Sequence, residues 1–348
     1  MADPPMPDWM RSVGHALRRP RHGRRHHLGV FSLVIALIGI GVGLYLVAQP
    51  SRPSAARGSP PSGSVPQGLR PSTTTSTVPP PPYAVQSETI TLTDPTRDTP
   101  ARGSVPGHPG RVLVTDIRRP AGLHGRLPLV VFAHGWNSDP AVYEPLLNSW
   151  AAAGFVVAAP TFPDSADTLP GTPVSNYPDQ ARDMTFVISS LLHGSAGLID
   201  RSRIAVAGHS DGGTDVAIMA LNPAFADPRV RAYLSLSGEI PDGISGPWGA
   251  PSAAALLVAV GTEDQYGLFD PAVQIFQTAS MPRVLLTLAG GDHLTTFIGS
   301  TPAEAAMRAD TVNFLHLVFS SHTVTSSELG AALASTGDPA IAEQAGSN

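Results

Sequence analysis

The segment Ile204–Gly213 constrains the fold more than any other part of the chain. Four apolar residues, Ile204–Ala207, read as a short buried strand, and Gly208-His209-Ser210-Asp211-Gly212-Gly213 follows at once, with a helix beginning near Asp211. A strand that reverses into a helix so abruptly needs glycine wherever backbones crowd together. It also holds Ser210 at the tip with a strained backbone, its hydroxyl lifted above the sheet edge. The free amides of the helix N-terminus point at the same spot. A turn of this kind belongs to a sheet with helices packed against it.

The flanking sequence supports that architecture from about Tyr83 to Ser320. Two early strands are predicted near Val85–Leu92 and Arg111–Ile117. Leu129–Ala133 is a continuous apolar run, as a strand buried on both faces requires, and Phe155–Ala159 is the next strand. In Pro178–Leu192 the residues Met184, Val187, Ile188, Leu191 and Leu192 recur at helical spacing, which places one helix face on the sheet. Further strands are predicted at Ala232–Leu236, Ala255–Val260 and Val284–Leu288. A last helix opens with Thr301-Pro302-Ala303-Glu304, a capping box with proline at its first position, and ends near Phe319. Strands alternating with helices predict a mostly parallel α/β sheet with helices on both faces. The short stretch between Leu236 and Ala255 leaves no room for a cap domain, so the site is expected to be an open groove suited to a bulky substrate. The polar, weakly patterned segment 321–348 is expected to be a loosely ordered tail.

The residues before Tyr83 read differently. Gly29–Ala48 is 20 residues long and uncharged, enough at about 1.5 Å per residue to cross a bilayer core of roughly 30 Å. Arg11, Arg18, Arg19, Arg21, Arg24 and Arg25 precede it, while only Arg52 and Arg57 follow closely. The positive-inside rule therefore makes 1–28 cytoplasmic and places everything after the span outside. A cleaved signal peptide, giving a secreted protein, is the alternative. Its apolar region would usually be shorter, about 7–15 residues, and Gln49-Pro50 follows where small residues would mark a cleavage site. Residues 49–82 hold ten prolines, seven serines and four threonines, a composition that buries no core and reads as an extended linker.

Composition removes several function classes. The net charge is −5 and all 22 basic residues are arginines, without a broad basic surface for nucleic acid. No cysteine is present, so neither disulfides nor thiolate chemistry enter. His134, Asp264, Asp292 and His293 could suggest a metal site, but each has another explanation and no helix carries two histidines at ligand spacing, so neither metal nor cofactor is expected.

A serine hydroxyl becomes a useful nucleophile only when a histidine takes its proton and a carboxylate orients that histidine. Ser210 is the candidate nucleophile. Asp264, in Gly261-Thr262-Glu263-Asp264 after one late strand, is the candidate acid, and His293, in Gly290-Gly291-Asp292-His293 after the next, is the candidate base. Glu263 and Asp270 are rival acids. His316, inside the last helix, is a poor rival base, and His193 reads as a helix end. Two amides that could hold a developing oxyanion are those of Asp211 and of Trp136, the latter in the turn His134-Gly135-Trp136. His134 reads as a ring that hydrogen-bonds its own loop. Trp136 either offers an aromatic wall to the cleft or covers core, and His209 could line the cleft too.

Taken together, the His134-Gly135-Trp136 loop, Gly154-Phe155-Val156-Val157, the Gly208–Gly213 turn, Glu263-Asp264 and Gly290-Gly291-Asp292-His293 resemble the α/β-hydrolase family, in its polyester hydrolase, cutinase-like and platelet-activating-factor acetylhydrolase-like branch. The resemblance covers roughly 111–319. It implies the α/β-hydrolase fold and cofactor-free hydrolysis of carboxylic esters. It assigns Ser210, Asp264 and His293 to a triad, the Trp136 and Asp211 amides to the oxyanion hole, and Gly208, His209 and Gly212 to the elbow. Asp211 departs from the family, many of whose members carry methionine there, and adds a negative charge beside the site. Transfer of an acyl group to a carbohydrate, peptide cleavage by the same triad, and a catalytically idle binding domain displayed on a stalk are the competing functions. The implied partners are an ester substrate, bulky or associated with the envelope, and the membrane through the N-terminal helix.

Overall fold

The structure is a computed structural model and describes residues 82–194, 197–249, 252–334 and 337–346, within a unit spanning Pro80–Asn348. The Arg-rich start, the span Gly29–Ala48 and the linker up to residue 81 lie outside the described residues. Among the described residues no helix is long and apolar enough to cross a membrane.

Strands β1 (Val85–Asp94) and β2 (Arg111–Pro120) form an antiparallel pair that enters the sheet beside β4 (Val156–Thr161). Next to β4 lie β3 (Leu127–Ala133), β5 (Ile199–His209), β6 (Val230–Leu236), β7 (Ala255–Gly261) and β8 (Arg283–Leu288), all parallel. The far edge is β9 (Ile341–Ala345), antiparallel to β8, so the order is β1-β2-β4-β3-β5-β6-β7-β8-β9. Every residue of β3 and of β7 is buried. Their uninterrupted apolar sequences are what a strand covered on both faces requires.

One face carries α2 (Tyr177–Gly194), α3 (Asp211–Leu221) and α4 (Phe269–Thr278), which bury Met184, Val187, Ile188, Val216, Ile275 and Phe276 in a common core. The other carries α1 (Glu144–Ala152), the short α5 (Thr295–Ile298), the long α6 (Pro302–Ser320) and α7 (Ser326–Ala334), with Leu146, Trp150, Phe297, Phe314, Leu315 and Leu329 buried. Thr301 caps α6 in the expected capping box. Between β6 and β7 the described residues form neither helix nor strand.

The segment after Ser320 corrects the expectation of a loose tail. Thr325 and Glu328 cap α7 reciprocally: the Glu328 amide donates to Thr325 Oγ1 at 3.2 Å and the Thr325 amide to Glu328 Oε2 at 2.8 Å. Leu329 and Leu333 then seal the core, and β9 covers the edge of β8. The folded unit therefore extends past 320 to Ala345.

Arg111 on β2 is wholly buried. It donates from Nη2 to Asp183 on α2 at 2.7 Å and to Asp164, in the segment after β4, at 2.6 Å. That network holds the 162–176 segment against the sheet end where the candidate site lies.

Candidate active site

Ser210 stands between β5 and α3 with φ 58 and ψ −122, a conformation that non-glycine residues rarely adopt. The cause is local crowding. A Cβ on Gly208 would run into the carbonyl of Gly212, and one on Gly212 would run into the carbonyl of Ala133 at the end of β3. The Ser210 amide donates to the Leu236 carbonyl at 2.9 Å, which pins the turn to the end of β6.

Two further loops converge on this turn. After β7, Asp264 is buried, and its Oδ2 lies 2.7 Å from Nδ1 of His293, which follows β8. The Tyr266 amide donates to Asp264 Oδ1 at 3.0 Å, and the Tyr266 ring meets the imidazole of His293 edge-on at 4.7 Å. Ser237, held at φ 46 just past β6, faces the same carboxylate without completing a hydrogen bond. Burial alone would raise the Asp264 carboxyl. The His293 hydrogen bond and charge, with the Tyr266 amide and the nearby Ser237, outweigh it and hold the group below the usual carboxylate value. With Nδ1 engaged, Nε2 is the ring atom left to exchange a proton.

The rival groups lie elsewhere. Glu263 and Asp270 are exposed. Asp292 Oδ1 accepts from the Leu294 and Thr295 amides at 2.9 and 2.6 Å, so it caps its own loop. His316 packs against Phe155 with ring centroids 4.9 Å apart, and His193 Nδ1 donates to the Ser189 carbonyl at 2.6 Å near the end of α2.

On the opposite side, Gly135 packs so closely that a Cβ there would lie 3.1 Å from Ser210 Cβ. Trp136 is half-buried beside it. His134 behaves as the sequence suggested: its Nε2 accepts the Phe162 amide at 3.0 Å, its Nδ1 bonds the Gly135 carbonyl at 2.8 Å, and burial depresses its pKa to about 4. Asp211 is the first residue of α3, where amides lack helical partners. Its side chain turns inward and accepts from the hydroxyls of Ser175 and Tyr177. Burial pushes its pKa up to about 6 against those two donors, so its charge is buried and hydrogen-bonded rather than presented at the surface.

His209 differs from expectation. It is 1 % exposed and borders no cleft, because its ring points under the turn between Tyr143 and His293. Tyr143, Ser175 and Tyr177 went unmarked in the sequence. Their partners lie 66, 36 and 34 residues away, and no local pattern announces such contacts.

A mostly parallel sheet with a strained serine turn after its fifth strand, and a carboxylate–imidazole pair at the ends of two later strands, is the arrangement of the α/β-hydrolase fold. The chain matches the Chlorophyllase family model over residues 94–238. It also superposes on a ferulic acid esterase from Streptomyces cinnamoneus with a TM-score of 0.53 and 19 % identity, over 77 % of this chain and 98 % of that one. At that identity the likeness speaks for the fold. No curated protein matches. The chain has the α/β-hydrolase fold, and the family match covers less than half of its length. The family match includes Ser210 but ends before Asp264 and His293, so those two rest on their geometry.

Proposed function

We propose that the chain hydrolyses carboxylic esters through a covalent acyl-enzyme, with Ser210 as nucleophile, His293 as general base and Asp264 as the carboxylate that orients it. The observation that carries this reading is the 2.7 Å contact between His293 Nδ1 and Asp264 Oδ2 at the strand ends beside the strained Ser210 turn. Attack by Ser210 Oγ on the ester carbonyl passes its proton to His293 Nε2, and Asp264 stabilises the imidazolium that forms. The Trp136 and Asp211 amides receive the negative charge on the carbonyl oxygen. His293 then protonates the departing alcohol. Water, deprotonated by the same ring, frees the acid and restores Ser210.

The test is turnover of p-nitrophenyl esters of rising acyl length, beside hydroxycinnamate esters. Ser210→Ala should lower turnover by at least about 10³-fold with the circular dichroism unchanged. A variant that keeps a tenth of the activity overturns the assignment.

We also propose that Gly29–Ala48 anchors the protein with its N-terminus in the cytoplasm and its hydrolase unit outside. The Arg bias before the span supports this orientation. Protease added to intact cells should then cut within 49–82. Cutting only after lysis would reverse the topology.

A further inference from the structure

Beneath the Ser210 turn runs a chain of hydrogen bonds that the triad and the oxyanion amides leave unexplained. The Gly135 amide donates to the Tyr143 hydroxyl at 3.2 Å, Tyr143 Oη lies 2.9 Å from His209 Nδ1, and His209 Nε2 lies 2.7 Å from the carbonyl oxygen of His293. A backbone amide only donates and a carbonyl only accepts, so the two end directions are forced, and in a neutral His209 ring the middle one follows from them. Gly135 donates to Tyr143, Tyr143 donates to Nδ1, and Nε2–H donates to His293. Tyr143 and His209 are both buried, at 2 % and 1 % exposure, and the Tyr143 ring packs on Phe132 at 4.8 Å. The His209 ring lies 4.5 Å from the His293 ring and 5.3 Å from Phe297. Burial, then the neighbouring His293, holds the His209 pKa well below its ordinary value, which favours the neutral ring, and the bond to the His293 carbonyl selects its Nε2–H tautomer.

The ends of this chain matter. Gly135 immediately precedes Trp136 and packs on Ser210, and His293 is the proposed base. The His293 backbone is held on its other side by its amide donating to Gln265 Oε1 at 3.0 Å, and its ring by Asp264. We infer that Tyr143 and His209 are positioning residues: a buried strut that fixes the distance between the oxyanion loop after β3 and the general-base loop after β8. The inference rests on the ester-hydrolase reading for its kinetic consequence but not for its structure. Neither residue touches substrate. The strut sets where two groups that act on one tetrahedral intermediate stand, and displacement by about 1 Å of such groups costs up to about a hundredfold in rate. Cutting it should therefore lower kcat and spare KM.

Four variants test this: Tyr143→Phe, which keeps the ring that packs on Phe132; His209→Leu; the two combined; and His209→Gln, whose amide can still donate to the His293 carbonyl. On a p-nitrophenyl ester, Tyr143→Phe and His209→Leu are each expected to lower kcat by about tenfold or more, with KM within about twofold. The double variant should be no worse than about the poorer single, because both cut one strut. His209→Gln should recover a good part of the His209→Leu loss. Losses that multiply in the double variant, a fall confined to KM, or unchanged kcat with only a lowered Tm would each overturn the inference. Should Tyr143→Phe fail to fold, the His209→Gln against His209→Leu comparison decides alone. A readout independent of activity is nitrogen-15 NMR of ring-labelled histidine in the full chain. The resonances lost in His209→Gln should report a neutral Nε2–H tautomer from pH 5 to 8. An Nδ1–H tautomer refutes the strut whether or not the protein hydrolyses esters, while wild-type inactivity with the Nε2–H tautomer refutes only the ester-hydrolase reading.

Discussion

At the scale of single residues, the assignment of the acid turns on a choice between neighbours. Glu263 and Asp264 are adjacent, and in an extended segment adjacent side chains point apart, so only one can face His293. Asp264 does, at 2.7 Å, and Glu263 is exposed. Asp264→Asn should leave the imidazole in the wrong tautomer and cost up to about 10⁴-fold in kcat/KM, whereas Glu263→Gln should change it by less than about threefold. A crippled Glu263→Gln beside a near-normal Asp264→Asn would move the acid by one position. Ser210, Asp264 and His293 stand out in the sequence as candidates because each follows a strand in a glycine-marked turn, and the fold brings those three turns to one end of the sheet. The fate of His209 was not legible there. Its place beside Ser210 suggested a cleft residue, yet its orientation depends on Tyr143 and His293, 66 and 84 residues away.

At the scale of elements, legibility followed burial on both faces. Leu129–Ala133 and Ala255–Val260 could be read as strands because a parallel strand between two helix layers is apolar at every position. The helix Pro178–Leu192 showed its periodicity because one face is buried and the other wet. The helix Phe269–Thr278 went unread although Ala272, Ile275 and Phe276 recur at helical spacing on its buried face. The C-terminal elements were missed for a related reason. Thr325 and Glu328 are a capping box, and Leu329 and Leu333 a one-turn apolar pair, but the surrounding alanines and polar residues dilute both signals. Since α7 fills core and β9 covers an edge strand, a chain ending at Ser320 should lose stability. Removing Leu329 and Leu333 alone corresponds to about 2–5 kcal/mol each, and the bare β8 edge invites association. Thermal unfolding with light scattering checks this. A shortened protein as stable and monodisperse as the full chain would show that α7 and β9 are dispensable.

At the scale of the whole molecule, the fold brings three chain segments to one end of the sheet: the turn at Ser210, the loop from Asp264 and the loop from His293. No described helix or strand lies between β6 and β7. The central claim is that Ser210 becomes acylated during ester turnover. Its most direct test is to react the protein with a fluorophosphonate, and separately to acid-quench it during turnover of a p-nitrophenyl ester, and to map the adduct by peptide mass spectrometry. The account predicts one phosphonyl and one acyl adduct, both on Ser210, with acylation slowed strongly by His293→Asn. Adducts on another residue, or ester turnover without an adduct on Ser210, would contradict it.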